Sequence, residues 1–302
     1  DFDPVVVEAP LSISVGGDIL ATTMRTPGHD EDLAVGWLAS ETDLSARTAV
    51  TSIRRDGAAA SRSQGIDEAV DTVHLKVAAS VEIPKARAYL TSSSCGICSA
   101  EVIEATPKPR VALQSEGWQL TPQQAHEWVA AMREEQRMFE LTGSLHAAAI
   151  IAPGGSLQVV REDVGRHNAV DKVIGSAFLS EEYPLTDHVL VVSGRVSYEI
   201  VAKALRACMA GIVAVSGPTT LAVDLARAHG LVLVGFTRED RLNVYVGGRS
   251  RRAMSNARYP EWHANAAETL VAQIVASEPG PVLLCLQAIQ PTLVMCPVTP
   301  WQ

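Results

Sequence analysis

The chain has 302 residues, 47% of them hydrophobic and 20% charged, with a formal net charge of −9. That balance excludes a disordered chain, leaves room for two modest cores rather than one, and disfavours a nucleic-acid duplex as partner. No run approaches the roughly 18 uninterrupted apolar residues of a membrane helix, and five cysteines, an odd number, argue against a disulfide framework and for a reducing cytoplasm.

The opening Asp1-Phe-Asp-Pro4 has neither the basic flank nor the apolar run of a signal peptide, although trimming would remove one. Residues 5–20 (VVVEAPLSISVGGDIL) read as two short strands around a hairpin turn at Gly16-Gly17. In TMRTPGHDEDLAVGWLASE, Pro27-Gly28 breaks the chain, and His29 or Asp30 is the expected cap of a helix carrying Leu33, Val35, Trp37 and Leu38. Residues 54–69, rich in Ser, Ala, Gly and charge, read as a loop, and Val70–Val81 as a strand. Residues 1–115 thus form an expected small α+β domain.

Next, Thr121 as N-cap, Pro122 at the first helical position and Gln124 closing a capping box start a helix with Ala125, Trp128, Val129 and Met132 on one face. After Gly143, apolar runs at 147–152, 157–160, 188–192, 212–215, 231–236 and 242–246 alternate with helical patterns at 168–179, 196–209 and 219–229. Strands separated by helices imply crossovers, hence an α/β domain over 116–248 around a mostly parallel sheet. The remainder, 249–302, is polar and then cut by prolines, and is expected to be an appended tail of low order.

Within SSSCGICSAE, in a loop over about 91–101, Cys95 and Cys98 stand three residues apart. Zinc needs about four ligands; Cys208 falls in a helical pattern and Cys285 and Cys296 in the tail, so no second pair is on offer. A redox dithiol belongs at a strand-to-helix junction, which this Ser/Gly stretch is not. Two readings stand level: incidental thiols, which would normally be buried, and a mobile arm whose thiolate accepts a sulfur atom and passes it on.

Two junctions share a pattern. LVVSGRVSYE (190–199) and VAVSGPTTLA (213–222) each end a strand in Ser-Gly and begin a helix at once. Glycine allows close approach, and the helix start offers unpaired N–H groups at the strand ends where open α/β sheets bind ligands. Arg161, Arg166, His167, Arg195, Lys203, Arg238 and Arg241 lie near these ends in sequence, with Phe236 as a stacking face. The bland alternative is a set of solvated surface pairs. His146, alone at the start of a strand, is by itself more simply a structural residue.

Taken together, MRTPGHDEDLAVGWLASE, SSSCGIC, LTGSLHAAA, REDVGRHNAVDKVIG, VSGRVSYEIVAKALRA, AVSGPTTLAVDLA and GFTREDRLNVY resemble the formate dehydrogenase accessory sulfurtransferases, in order, from about residue 5 to 247. The resemblance implies an α/β fold: a cytidine-deaminase-like domain with a largely parallel or mixed sheet, plus a small α+β N-terminal domain. It implies a cytoplasmic homodimer that takes sulfur from a cysteine desulfurase as a cysteine persulfide. The acceptor it implies is the bis-molybdopterin guanine dinucleotide molybdenum cofactor of formate dehydrogenase. Cys95 matches the persulfide-forming cysteine and Cys98 its partner; Gly235, Phe236, Thr237, Arg238, Glu239 and Asp240 match the cofactor-binding segment. A zinc hydrolase is disfavoured, because His146-Ala147-Ala148 lacks the proton-shuttling Glu and Ser193–Ser197 lacks both thiolates. A cofactor-binding chaperone whose thiols only guard the molybdenum remains the non-enzymatic alternative. The tail departs from the family pattern.

Overall fold

The computed structural model describes residues 3–56, 70–83, 120–238, 241–247 and the backbone of 299–300. Strands β1 (Ala9–Val15) and β2 (Asp18–Arg25) form the expected hairpin, with Gly16 and Gly17 at φ 65° and 107° supplying the turn that residues with a Cβ resist. A four-stranded sheet is completed by β3 (Val50–Asp56) and β4 (Asp71–Val77) in the order β2-β1-β4-β3. Residues 54–56, expected in a loop, lie in β3 instead. This strand is an exposed edge, where charged residues keep the ladder from pairing further and hide the alternation that marks a half-buried strand. Helix α1 (Asp30–Glu41) packs on the sheet through Leu33, Ala34, Leu38 and Ala39. His29 occupies its N-cap in the left-handed region (φ 55°) without a side-chain capping bond; three acidic residues in the first turn complement the helix dipole instead.

The larger sheet contains β5 (His146–Ile151), β6 (Leu157–Asp163), β7 (Val189–Val192), β8 (Gly211–Ala214), β9 (Val232–Arg238), β10 (Arg241–Val246) and β11 (Thr299–Pro300), ordered β11-β10-β9-β8-β7-β5-β6. It is mixed rather than mostly parallel. Only β7, β8 and β9 run parallel, while β5–β6, β5–β7, β9–β10 and β10–β11 are antiparallel. Connection length decides this: the links β5–β6 and β9–β10 are too short for a crossover, so those strands must turn back. Helix α2 (Pro122–Glu134) starts with the predicted capping box, Gln124 N donating to Thr121 Oγ1 (3.2 Å) and Thr121 N to Gln124 Oε1 (3.0 Å). Its Ala125, Trp128 and Met132 cover one face of the sheet, against Ala147, Ala149, Val191, Val213 and Val234. A short helix α3 (Arg137–Thr142) follows, its first N–H groups held by the Glu162 carboxylate (2.9 and 2.8 Å).

On the other face lie α4 (Arg166–Leu179), α5 (Tyr198–Arg206) and α6 (Thr220–His229). Here one hydrophobic core runs from Leu11, Ile13 and Leu75 of the small sheet through α1 and α4 to Ile150, Leu190 and Ile212 of the large one. At the crossing of α1 and α4, Gly36 and Gly175 bring the backbones into contact; a Cβ on Gly36 would overlap the Asp171 carbonyl and one on Gly175 that of Asp32.

Buried charge reinforces this seam. Lys172 pairs with Asp163 (2.7 Å) and donates to the Thr26 carbonyl (2.9 Å), while Asp163 accepts from Thr26 N (3.1 Å) and Asn168 Nδ2 (2.9 Å). Lys203 pairs with Asp171 (2.7 Å), which also accepts from Ser40 Oγ (3.1 Å). Arg25 joins Asp30 (2.9 Å) and Asp71 (2.5 Å). Burial opposes the Lys203 ammonium, but the Asp171 carboxylate outweighs it and raises the lysine above its ordinary range. No helix among the described residues is long and apolar enough to cross a membrane.

Candidate functional site

Because β7, β8 and β9 are parallel, their carboxyl ends reach one edge of the large sheet, and antiparallel β5 starts there beside the end of β6 (His146 opposite Asp163). The two Ser-Gly turns meet at this edge. Val196 N donates to the Gly217 carbonyl (3.2 Å), Thr219 N to the Val196 carbonyl (2.9 Å), and Phe236 N to the Ser216 carbonyl (3.2 Å). Thr219 caps α6 through its hydroxyl, which accepts from Ala222 N (3.4 Å). Ser197 at the start of α5 makes no such cap, and its hydroxyl instead meets His167 Nε2 at 3.2 Å.

The segment Gly235–Arg238 forms the far end of β9. Gly235 is closely packed: a Cβ would stand 3.1 Å from the Ser216 carbonyl oxygen and 3.2 Å from both Pro218 and the Tyr245 ring, so those neighbours would have to give way by a few tenths of an ångström. Phe236 adopts φ 53°, a left-handed backbone that a bulky residue holds only at a cost of about 1–3 kcal/mol and that gathers at functional sites. Its ring lies on Gly217, where a Cβ would come within 2.6 Å of Cζ, yet the residue remains 40% exposed. The next residue, Thr237, is 1% exposed, and its Oγ1 has no hydrogen-bond partner among the described residues. A buried orphan hydroxyl costs free energy and marks a place where a ligand group could complete the bond. Arg238 and Arg241, opposite one another at the β9–β10 turn, are exposed and meet no carboxylate among the described residues. The arrangement suits a planar ring laid against Phe236, with phosphate groups near the guanidinium groups.

The basic residues expected at this edge divide. Arg166, His167 and Arg195 are there, around Gly194, where a Cβ would lie 3.3 Å from His146 Nδ1 and 3.4 Å from Arg166 Cβ. Arg161 and Lys203 are not available to a ligand: Arg161 pairs with Asp32 (2.9 Å) and donates to Ser176 Oγ (3.0 Å), and Lys203 is committed to Asp171. The signal for Lys203 lies in the helical period, since it falls three residues after buried Ile200 and shares its face. His167 Nε2 also contacts Glu199 (2.9 Å). One nitrogen cannot donate to Glu199 and accept the Ser197 proton at once, so Ser197, His167 and Glu199 form a positioning network rather than an activated nucleophile. Burial first, then Arg166, His167 and Arg195, lower the pKa of His146, with Asp163 opposing them. Among the described residues no group of three or more His, Cys, Asp or Glu side chains is arranged to hold a metal ion. Cys95, Cys98, Glu239 and Asp240 lie outside the described residues.

Fold and edge define an α/β protein whose candidate site lies at the carboxyl ends of its parallel strands. The chain belongs to the FdhD/NarQ family, whose model matches residues 6–252. It is 41% identical over 254 residues to the sulfur carrier protein FdhD of Nocardia farcinica (84% of this chain, 90% of the relative). With the Streptomyces coelicolor protein of that name it shares 42% over 251 residues (81% and 88%). It also shares its fold with a crystal structure from Desulfotalea psychrophila, assigned as a formate dehydrogenase accessory protein, at a TM-score of 0.63 and 22% identity, covering 81% of this chain and 90% of that one.

Proposed function

We propose that this protein is a cytoplasmic sulfurtransferase, a sulfur carrier serving formate dehydrogenase. The observation that carries the reading is the family match over 6–252 to relatives named sulfur carrier proteins, in a chain that holds Cys95-Gly-Ile-Cys98 inside the matched span. In the proposed step, the Cys95 thiolate attacks the outer sulfur of a cysteine desulfurase persulfide. A new S–S bond forms on Cys95, the S–S bond on the donor breaks, and the donor cysteine leaves as thiolate. Cys98, three residues further along the chain, is the assisting thiol in this reading.

The acceptor in this reading is bis-molybdopterin guanine dinucleotide, a substrate rather than a resident group. The Gly235–Asp240 segment is its seat. The exposed Phe236 ring, the Thr237 hydroxyl and Arg238, the last two without a partner among the described residues, fit a guanine ring and phosphate groups. A homodimer would present two such seats to a ligand carrying two guanine nucleotides.

Incubation with a cysteine desulfurase and cysteine should add about 32 Da (one sulfur atom) to Cys95, removable by reductant. Formate dehydrogenase maturation should stop in Cys95→Ser. Normal maturation by that variant would overturn the sulfur relay and leave only cofactor binding at the edge, which needs no thiol.

A further inference from the structure

The edge holds a second concentration of positive charge that the proposed seat does not use. Arg195 leaves the β7 turn exposed and without a carboxylate among the described residues. Beside it, Gly194 lets the His146 ring and the Arg166 stem close onto the turn. Two nearby carboxylates among the described residues are already engaged. Glu199 holds His167 (2.9 Å), and Asp163 holds Lys172 (2.7 Å), Gly165 N (2.8 Å) and Asn168 (2.9 Å). Among the described residues nothing hydrogen-bonds the His146 ring, although it is largely shielded from solvent. Its depressed pKa has the same origin: burial, then Arg166, His167 and Arg195 against the Asp163 carboxylate.

We infer that the Gly194 turn is a second anion subsite, in which Arg195 and the His146 ring, beside the Arg166 stem, take a phosphate group of a ligand stretched along the sheet edge. His146 begins β5 and Phe236 lies in β9, three places apart in the order β9-β8-β7-β5. At about 4.8 Å per strand the two points stand roughly 14 Å apart. The joined turns, Val196 to Gly217 and Gly217 under Phe236, form continuous floor between them. The ligand class is therefore an extended phosphodiester or diphosphate compound with a planar ring at one end, rather than a single nucleoside. This assignment rests on the proposed nucleotide seat for the ring end; the subsite itself is testable alone.

The probe is inorganic pyrophosphate, with the imidazole protons of the full chain followed by NMR. The His146 resonance is identified by its loss in His146→Gln. Pyrophosphate should raise the His146 midpoint by about one pH unit, because a bound anion favours the imidazolium. Arg195→Gln, an exposed substitution, should weaken that response about tenfold. Phe236→Ala should leave the pyrophosphate response intact while weakening GDP. No movement of the His146 midpoint, or an equal response in Arg195→Gln, overturns the subsite and leaves the Phe236 seat standing. A response lost in Phe236→Ala also overturns it, since a single anion site would then lie at Phe236–Arg238. If GDP binding is indifferent to Phe236 while Arg195 still governs pyrophosphate, the nucleotide seat falls and the subsite remains.

Discussion

The seam between the two sheets and the carboxyl edge of the larger sheet use the same charged residue types to opposite ends. Along the seam, the buried cations Arg25, Lys172 and Lys203 each meet a carboxylate within 3 Å. At the edge, Arg195, Arg238 and Arg241 meet none among the described residues. Desolvation explains the contrast. A charge removed from water must be matched inside the protein, whereas a charge left at a strand end can wait for an anion from outside. Position relative to solvent, not residue type, separates the scaffold from the site.

The strongest way to break this contrast is to unpair the seam. Lys172→Met leaves the Asp163 carboxylate buried without its ammonium and should cost about 3–5 kcal/mol by urea unfolding. Replacing both partners, as Lys172→Met with Asp163→Leu, should recover part of that loss if uncompensated charge is the cause. A single variant as stable as the native chain would mean that water reaches the pair.

At the edge the signs reverse. Phe236→Ala should change stability little, because the lost apolar contact with Gly217 is offset by relief of a bulky residue at φ 53°. Its effect should fall on binding: calorimetry with GDP should show roughly 10- to 100-fold weaker affinity, the usual range for loss of one base-stacking ring. Equal affinity for guanosine and GDP would remove the phosphate contacts from the site.

A smaller effect concerns pH. The folded-state pKa of His146 is lowered, so the unfolded chain binds more protons in the window below about 6.5. The contribution of neutral His146 is fully present above that value and is lost as pH falls from it through the folded pKa. His146→Gln should flatten the slope of stability against pH in that window; an unchanged slope would assign it to other groups. The smallest effect is expected at the tail. Truncation after Gly248 removes β11, two residues paired with Asn243 and Val244, and should leave the melting temperature and Cys95 persulfidation unchanged. A large fall in either would make 249–302 part of the working structure.

Much of this molecule is legible along the chain. The Gly16-Gly17 hairpin and the Thr121-Pro122-x-Gln124 helix start follow from turn and capping chemistry, which is local. So does the pattern of strands and helices after Gly143, since periodicity records which side of an element is buried. The Ser-Gly turns and Phe236 are likewise visible as strand ends.

What the chain does not reveal is partnership across distance. Strand β3 escapes notice because an exposed edge strand needs no apolar alternation. Sheet order, the contact of Gly36 with Gly175 and the packing of Phe236 on Gly217 depend on residues far apart in sequence. Lys203 and Arg195 follow the same Ser-Gly turn and carry the same charge, yet one is sealed against Asp171 and the other faces water. Local chemistry decided which elements form. Only their packing decided which charges lost their water, and therefore which of them hold the protein together and which remain for a ligand.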